Sequence, residues 1–484
     1  MVDARTPVLV GVGQLTPGDR TAPTSPLDLM LEASRRAIAD AGAPLLERID
    51  SIGVTNCISW AAPDPARALA EALGVEPGET VGTHTSGTSP LDLLRDACGR
   101  IAAGELRVAL LAGAEAVRAL QDGRYQGGPD QLEGTAPSRM LGEDRMPTHP
   151  GEEAAGLYQP VQFYPLFENA LRAAAGRDPA THTAWLGTLW GRFAAVAEAN
   201  PHAWVNDPPT AASIVDISKR NRPVAFPYPK LLTANLGVDQ GAAVVVCSAE
   251  AAREAGIPRD RWVFVHGTAA ANDRWHTGER ESLHRSPAIR AIGRALLDDV
   301  ELSQLDLYSC FPSAVQIAAA ELGVDLADPG VVPTVTGGLT FAGGPGSNYV
   351  MHSLATMVER LRVDSDGVGL CTGVGWFMTK HAAALLSSRP PRDYRDAPVQ
   401  SEVDAETCLK VGMGTTGPAT VETYTVSYDY DGAPRAAFVA ALLDDGETRA
   451  FAVSHERDLA AGMLERDPIG ERIKLLEGAR FDLS

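Results

Sequence analysis

The amino-acid sequence predicts an α/β protein of two similar halves, followed by a smaller β-rich domain. Three observations support this prediction. Short apolar runs alternate with helical patterns over most of the chain, which is typical of α/β folds. A set of segments recurs in the same order in both halves. Beyond about residue 400, apolar and polar residues alternate as they do in strands.

Each half is predicted to begin with a strand and a helix. The apolar run 8–13 in the first half corresponds to the run 263–267 in the second. Ser25-Pro26 and Ser286-Pro287 then start helical patterns. Serine before the helix and proline at its first position are typical of a helix N-terminus. The same order of signals in both halves indicates an internal duplication.

A turn, a long helix and an apolar strand complete each repeat. The turn is rich in Gly, Ser and Thr, and its distance to the following strand differs by only one residue between the halves. The corresponding segments are turns 82–87 and 343–347, helices 91–103 and 349–361, and strands 108–113 and 368–373. We therefore predict a first half of residues 1–119 and 223–252 and a second half of residues 253–388.

The remaining segments differ from the repeat. Residues 120–222 are predicted to form an inserted loop domain, with loop-like stretches at 127–130 and 146–150 and a helix from Phe163 to Ala175. Long insertions in compact domains are usually functional.

Residues 389–399 are predicted to be a linker and residues 400–484 an additional β-rich domain. In the latter, residues 421–428 alternate largely between apolar and polar types. Asp431-Gly432 and Asp445-Gly446 are predicted hairpin turns, because glycine accepts the positive φ that such turns need.

The composition limits the classes of function. The chain has 484 residues, 45% hydrophobic and 21% charged, and a formal net charge of −20. This acidity disfavours nucleic acid and anionic lipid as partners. The six cysteines have no metal-ligand spacing, the start lacks signal-peptide features, and no apolar run could span a bilayer. We expect a cytoplasmic protein with no bound metal or cofactor.

One segment carries a family resemblance. Residues 232–244 read LTANLGVDQGAAV and resemble the Thr-Ala-Gly-Asn…Asn-Asp-Gly-Ala-Ala stretch that closes the first half of thiolases. Together with the two halves, the resemblance to the thiolase superfamily covers roughly residues 7–385. The pattern is similar to sterol-carrier-protein-X type thiolases and to actinobacterial type-1 thiolase-like proteins, which have an extra C-terminal domain. It implies a five-layer αβαβα thiolase fold plus a small β-barrel-like domain.

The resemblance also implies a substrate and a chemistry. Thiolases are acyltransferases of lipid metabolism, such as acetyl-CoA acetyltransferase, that make or break C–C bonds in coenzyme A thioesters. They use a cysteine thiolate at a helix N-terminus and a second cysteine, in a Cys-x-Gly turn, that moves the substrate α-proton. A histidine of a Gly-His-Pro turn and an Asn or His in an Asn-Glu-Ala-Phe-like loop stabilise the oxyanion. CoA thioester is thus the expected substrate or ligand.

Three of these four catalytic positions depart from the family pattern. His84 corresponds to the nucleophilic cysteine, Tyr308 to the Asn or His, and Gly344 to the Gly-His-Pro histidine. Cys371 alone is retained, in Cys371-Thr372-Gly373. The resemblance implies His84, Tyr308 and Cys371 as catalytic candidates. The substrate-binding candidates are Ser86, Gly87, Gly344, Asn348, His352 and Gly373.

Each candidate also has a structural interpretation. His84 is either a neutral base or donor, or a polar residue left after loss of the cysteine. Tyr308 either donates to a carbonyl oxygen, as tyrosine does in the thiolase-like steroid side-chain retro-aldolases, or packs in the core. Cys371 either moves a proton or is simply buried. Asn348 and His352 share a helix face and line either the pocket or the core.

Basic residues offer a candidate site for the CoA phosphates. Lys219, Arg220, Arg222 and Lys230 lie close together in the chain and could form charge-assisted hydrogen bonds. A solvated basic surface is the other interpretation.

Two functions follow from these candidates. The first is a thiolase-like, acyl-CoA-handling protein in which altered C–C chemistry, of retro-aldol type, proceeds without a cysteinyl intermediate. The second is a non-catalytic protein that binds CoA or a lipid thioester, or that docks a partner. The sequence leaves open whether the protein is an enzyme and whether it forms a homo-oligomer or binds another protein.

Overall fold

Strands of both halves join in one sheet, and a second sheet forms the C-terminal part. The computed structural model describes residues 2–22, 24–127 and 134–483. Its strands are β1 (Pro7–Leu15), β2 (Ser51–Val54), β3 (Glu79–Thr83), β4 (Val108–Ala116), β5 (Arg139–Leu141), β6 (Pro223–Ala225), β7 (Tyr228–Pro229), β8 (Asp239–Ser248), β9 (Val263–Asn272), β10 (Gln304–Asp306), β11 (Val368–Gly375), β12 (Lys380–Ser387), β13 (Arg395–Ala397), β14 (Lys410–Val411), β15 (Gly417–Tyr428), β16 (Pro434–Leu443), β17 (Thr448–Ser454), β18 (Arg472–Leu476) and β19 (Arg480–Leu483).

The helices separate into outer, central and inserted groups. The α-helices are α1 (Pro26–Asp40), α2 (Pro65–Leu73), α3 (Ser89–Ala103), α4 (Val117–Gln121), α5 (Pro150–Ala154), α6 (Pro160–Ala174), α7 (Pro179–Ala199), α8 (Ala211–Val215), α9 (Ala249–Glu254), α10 (Pro287–Leu297), α11 (Pro312–Leu322), α12 (Gly338–Phe341), α13 (Tyr349–Val363), α14 (Gln400–Asp404) and α15 (Arg457–Arg466).

The strand order shows that the halves repeat one topology. The first half is ordered β3-β2-β4-β8-β1 and the second half β10-β11-β12-β9. Strands of equal rank in the repeat thus occupy equivalent places. A short antiparallel contact between β1 and β9, with Val8 opposite Phe264, joins the two parts.

Five layers result from this arrangement. Helices α3 and α13 contact each other and strands of both halves, so they form the central layer. Helix α1 packs outside the first half on β1 and β8, and α10 packs outside the second on β9. The five-layer thiolase fold is therefore confirmed. Central strands are buried on both faces, as the fully buried β8 is.

The predicted helix starts are also confirmed. The Ser25 side chain accepts a hydrogen bond from the Asp28 amide at the start of α1. Ser286 accepts one from the Ile289 amide at the start of α10. In both helices proline occupies the first position, where its missing N–H costs no intrahelical bond.

The C-terminal strands close into a small barrel. Strand β15 pairs with β16 and β18, β17 with β16 and β19, and β18 with β19. The predicted turns at Gly432 and Gly446 have φ values of 88° and 68°, the left-handed region in which glycine is favoured. The expected additional β domain is thus a five-stranded barrel.

Buried polar contacts attach this barrel to the rest of the chain. Arg449 of β17 is fully buried, donates to the carbonyl oxygens of Gly278 and Arg280, and pairs with Glu422 at 2.6 Å. On the inserted helix α6, the Asn169 side-chain amide donates to the Tyr424 carbonyl at 2.9 Å. Because these donors are buried, separating the barrel would leave them unpaired, which is costly.

Two short segments form strands that pair with a different part of the fold than the sequence predicts. Residues 223–229 were placed in the first half, but β6 and β7 extend the barrel sheet through a pair between Ala225 and Ser427. Residues 395–397 were placed in the linker, but β13 pairs with β9 of the second half. Such short strands carry too few residues for a periodic signal. The predicted loop at 127–130 falls largely outside the described residues.

Both edges of the main sheet end in short strands. Strand β5 covers β3 at one edge, and β10 forms the other; each has three residues. Short edge strands provide little backbone for pairing with a second molecule. Within the described ranges, no helix is suited in length and apolar character to crossing a bilayer.

These short edge strands predict a monomer. We expect size-exclusion chromatography with light scattering to give a mass near 51.0 kDa across a wide range of protein concentration. A mass about twice as large at micromolar protein would contradict this expectation.

Candidate functional site

A cavity of about 400 Å³ opens where the two halves and the inserted helix α6 meet. The turn before α3 contributes Ser86 and Gly87, and the second half contributes Tyr308. Most other lining side chains are apolar, and none of those in the described residues is charged. The cavity is also lined by Ile58, Val161, Tyr164, Ala234, Leu236, Cys310, Phe311, Leu339, Ser347, Val374 and Trp376.

Gly87 is a point of close approach between the halves. A Cβ atom at this position would lie 2.2 Å from the Val374 carbonyl oxygen and 2.4 Å from the Tyr308 hydroxyl. Only glycine fits such an approach. Its backbone N–H makes no hydrogen bond with the described residues, so this donor is unused in a residue that lines the cavity.

Tyr308 presents an unpaired hydroxyl beside that donor. Its backbone amide donates to Thr372 Oγ1 at 2.9 Å, and its ring packs edge-on against Tyr349 with centroids 5.5 Å apart. Its hydroxyl has no hydrogen-bond partner in the part of the chain that the structure describes. Burial raises the pKa of Tyr308, so the phenol stays protonated near neutral pH and acts as a donor.

Ser86 begins a chain of hydroxyl groups that leads away from the cavity. Its Oγ lies 2.7 Å from Thr88 Oγ1, and Thr88 donates to Asp92 Oδ2 at 2.8 Å. Because Thr88 uses its proton on Asp92, Ser86 is the donor to Thr88. Burial raises the pKa of Asp92. Thr88 and Asp92 line a second, polar cavity of about 840 Å³ together with Lys380, so the chain connects the two cavities.

Of the predicted catalytic residues, only Tyr308 lines the apolar cavity. His84 lies two residues before Ser86, where its backbone amide donates to the Leu141 carbonyl at 3.0 Å. Cys371 lies inside β11, opposite Asp306 and Ala384, and is fully buried. Burial raises the pKa of this thiol, which therefore stays protonated. The three candidates therefore do not share one cavity.

The predicted binding residues divide in the same way. Ser86 and Gly87 line the cavity, whereas Gly373 packs behind the turn with its Cβ position 3.1 Å from the Gly87 carbonyl oxygen. Gly344 donates its amide to the Asn235 carbonyl at 2.9 Å. From the same second-half turn, Ser347 reaches the cavity instead.

Asn348 and His352 join the two halves rather than line the cavity. The Asn348 side-chain amide donates to the Gly113 carbonyl at 2.6 Å. His352 Nδ1 lies 2.9 Å from Gln14 Oε1, so Nδ1 carries the proton. Its Nε2 is buried without a hydrogen-bond partner among the described residues. Burial lowers the pKa of His352 to about 3, which keeps the ring neutral.

Sequence reasoning missed most of the apolar lining. Phe311 and Trp376 follow the predicted candidates Tyr308 and Cys371 by only a few residues, and Trp376 has a positive φ of 55°. Val161 and Tyr164 come from the inserted domain. Whether the side chains of these residues point into the cavity depends on tertiary packing. The family-like segment 232–244 was the one available signal, since it supplies Ala234 and Leu236.

The predicted basic group lies next to that segment in the chain. Lys219, Arg220 and Lys230 are exposed and form no ion pair with the described residues. Arg222 instead stacks over the Tyr430 ring of the barrel domain, 5.0 Å from its centroid. Among the described residues, no group of His, Cys, Asp and Glu side chains has the arrangement of a metal site.

The neutral His352 predicts a specific dependence of stability on pH. Below pH 6.5 the His352 ring binds a proton in the unfolded state but stays neutral in the folded state. The free energy of unfolding therefore falls as the pH drops towards 3. We expect His352 to account for a loss of about 2 kcal/mol in the free energy of unfolding between pH 7.5 and pH 5. Urea unfolding should show a shallower acid loss for His352→Gln than for wild type. The exposed His455→Gln is the control. Equal acid losses for His352→Gln and wild type would refute the assignment.

A family model and several solved structures resemble this chain. The model of the thiolase-like protein type 1 additional C-terminal domain matches residues 398–477. A monomeric SCP2-thiolase-like protein type 1 from Mycobacterium smegmatis is 30% identical, with 100% of both chains covered and a TM-score of 0.84. No curated protein matches the sequence.

Two more distant structures share the fold. The Ltp2-ChsH2(DUF35) aldolase is 20% identical, with 80% of this chain and 98% of that chain covered and a TM-score of 0.58. An acetyl-CoA acetyltransferase from Syntrophomonas wolfei is 14% identical, with 80% and 100% covered and a TM-score of 0.56. At these identities the likeness establishes the thiolase fold alone. The full-length match at 30% identity and the matched C-terminal domain establish that this chain belongs to the SCP2-thiolase-like type 1 proteins.

Proposed function

We propose that this protein binds a coenzyme A thioester in the apolar cavity and cleaves a C–C bond in it by retro-aldol chemistry. The observation that carries the proposal is the unpaired Tyr308 hydroxyl beside the free Gly87 amide. Two unused donors beside one mainly apolar cavity suit an oxygen that gains negative charge during the reaction.

The reaction needs an electron sink and a proton acceptor. In a β-hydroxyacyl thioester, loss of the hydroxyl proton allows the bond between the α and β carbons to break. The bonding electrons move to the thioester carbonyl oxygen, where Tyr308 and Gly87 donate hydrogen bonds. The proton leaves through Ser86 and Thr88 to Asp92 and returns to the α carbon of the departing thioester. A carbonyl compound and a shortened acyl thioester are the products.

The cysteines do not favour ordinary thiolase chemistry here. Thiolysis needs a thiolate that can be acylated. His84 replaces the family nucleophile, and Cys371 is fully buried in β11. Cys310 lines the cavity, but burial raises its pKa to about 12, which leaves little thiolate near neutral pH. A mechanism without a cysteinyl intermediate agrees better with these thiols.

The lining of the cavity limits the substrate. Because none of the described side chains that line it is charged, the acyl part is apolar and the CoA phosphates remain outside. The exposed Lys219, Arg220 and Lys230 are the cations that we assign to them, in an otherwise acidic protein. All six cysteines are free, which supports a reducing compartment such as the cytoplasm.

A second candidate is binding without turnover. It is favoured by the loss of the nucleophile at His84 and of the family histidine at Gly344. In that case the cavity would hold the thioester for presentation to a partner, and Tyr308 would contribute only to the affinity for the thioester.

Replacement of Tyr308 distinguishes these functions. If its hydroxyl stabilises the developing oxyanion, Tyr308→Phe should reduce kcat for a β-hydroxyacyl-CoA by about 10²- to 10³-fold, as loss of such a donor does elsewhere. Product thioester can be measured by liquid chromatography and mass spectrometry. Tyr158→Phe removes an exposed hydroxyl and is the matched control, and Cys371→Ala should leave kcat unchanged.

Each outcome of this experiment has a separate meaning. A Tyr308→Phe protein that turns over at the wild-type rate would overturn the catalytic proposal. Absence of wild-type turnover, with acyl-CoA binding retained, would favour the binding function instead.

A further inference from the structure

An arginine-rich cavity lies between the second half and the C-terminal domain, apart from the candidate site. It has a volume of about 220 Å³, and its wall includes Arg274, Arg280, Arg285 and Arg290. Val403 and Glu406 close it from the side of the matched C-terminal domain. Four guanidinium groups around a small cavity are unexpected in a protein of net charge −20.

Two of these arginines already pair with one shared carboxylate. Arg285 Nε lies 2.6 Å from Glu321 Oε1, and Arg290 Nε lies 3.0 Å from Glu321 Oε2. Arg290 also lies 3.7 Å from Glu406. They form one side of the cavity and hold α10 against α11.

The other two arginines have no carboxylate partner among the described residues. Arg274 Nη2 donates to the Asp404 carbonyl at 3.1 Å and to the Glu406 carbonyl, while its buried Nε makes no hydrogen bond. Arg280 is only 4% exposed. Its Nη2 donates to the carbonyl oxygens of Phe377 and Met378, while its buried Nε and Nη1 make no hydrogen bond with any described residue. Buried donors of this kind are normally satisfied.

The acidic groups at the cavity do not take up these donors. Asp273 accepts hydrogen bonds from Ser286 Oγ at 2.6 Å and the Ala288 amide at 2.9 Å, and lies 3.1 Å from His381 Nε2. It therefore caps α10 and is already satisfied. Glu281 is exposed and forms no ion pair with the described residues. Burial lowers the pKa of Arg280, and Asp273 and Glu152 oppose this shift through space without a hydrogen bond to it.

We infer that this cavity binds a small doubly charged oxyanion, such as a phosphate group, between the core and the C-terminal domain. Arginine N–H groups match the oxygens of such anions and form strong charge-assisted bonds with them. Arg274 would donate to the anion, and the buried Arg280, whose guanidinium lies over the Phe167 ring, would add positive charge behind it. Since Arg274 also holds the backbone of residues 404–406, the bound anion would tie the C-terminal domain to α10. This site is independent of the proposed reaction.

Thermal unfolding and calorimetry of the full chain test this inference. Inorganic phosphate should raise the Tm above that in sodium chloride of equal ionic strength, and should bind with a Kd in the millimolar range or tighter. Arg274→Gln should weaken binding at least tenfold, and Arg280→Lys should also weaken it. Arg435→Gln, on the exposed barrel surface, is the matched control and should bind as wild type does.

The outcomes separate the alternatives. Stabilisation by phosphate identifies a phosphoryl group and stabilisation by succinate a dicarboxylate; either supports the site if Arg274→Gln abolishes it. If Arg280→Lys does not fold, Arg274→Gln alone decides. A Tm no higher than in chloride, or a phosphate effect that persists in Arg274→Gln, would overturn the inference. Neither result depends on turnover, so the proposed function stands or fails separately.

Discussion

The contact between the turn before α3 and the second half determines the form of the candidate site. Gly87 lies so close to Val374 and Tyr308 that a single methyl group would collide with both. This approach brings a backbone donor from one half to a phenol from the other. The central helices α3 and α13, which touch strands of both halves, hold the two turns at this distance. The duplicated fold thus places the site at the join of its repeats.

The fold could be predicted well because it depends on local and repeated signals. The Ser-Pro helix starts, the equal spacing of turn and strand, and the glycine turns of the barrel each have a local physical cause. The strands in residues 223–229 could not be predicted, because a two- or three-residue strand has no recognisable period. Its pairing with β15 is decided by the tertiary contact alone.

The site could be predicted only in part, since side-chain direction within an element depends on packing. Motif position brought Ser86, Gly87 and Tyr308 to the cavity but also suggested Cys371, which a strand seals from it. His352 and Asn348 share a helix face, as predicted, yet that face meets the first half through Gln14 and Gly113. The apolar wall from the inserted domain had no sequence signal. A family motif therefore predicts a residue's position in the fold more reliably than the exposure of its side chain to the cavity.

Both candidate functions require the apolar cavity to accept a thioester. Calorimetric titration of the purified protein with CoA and a series of short acyl-CoA compounds measures this most directly. We predict micromolar binding of acyl-CoA, about −8 kcal/mol, weakened in Gly87→Ala because the added methyl displaces Tyr308. Absence of binding by every member of the series, with the protein folded, would contradict the account.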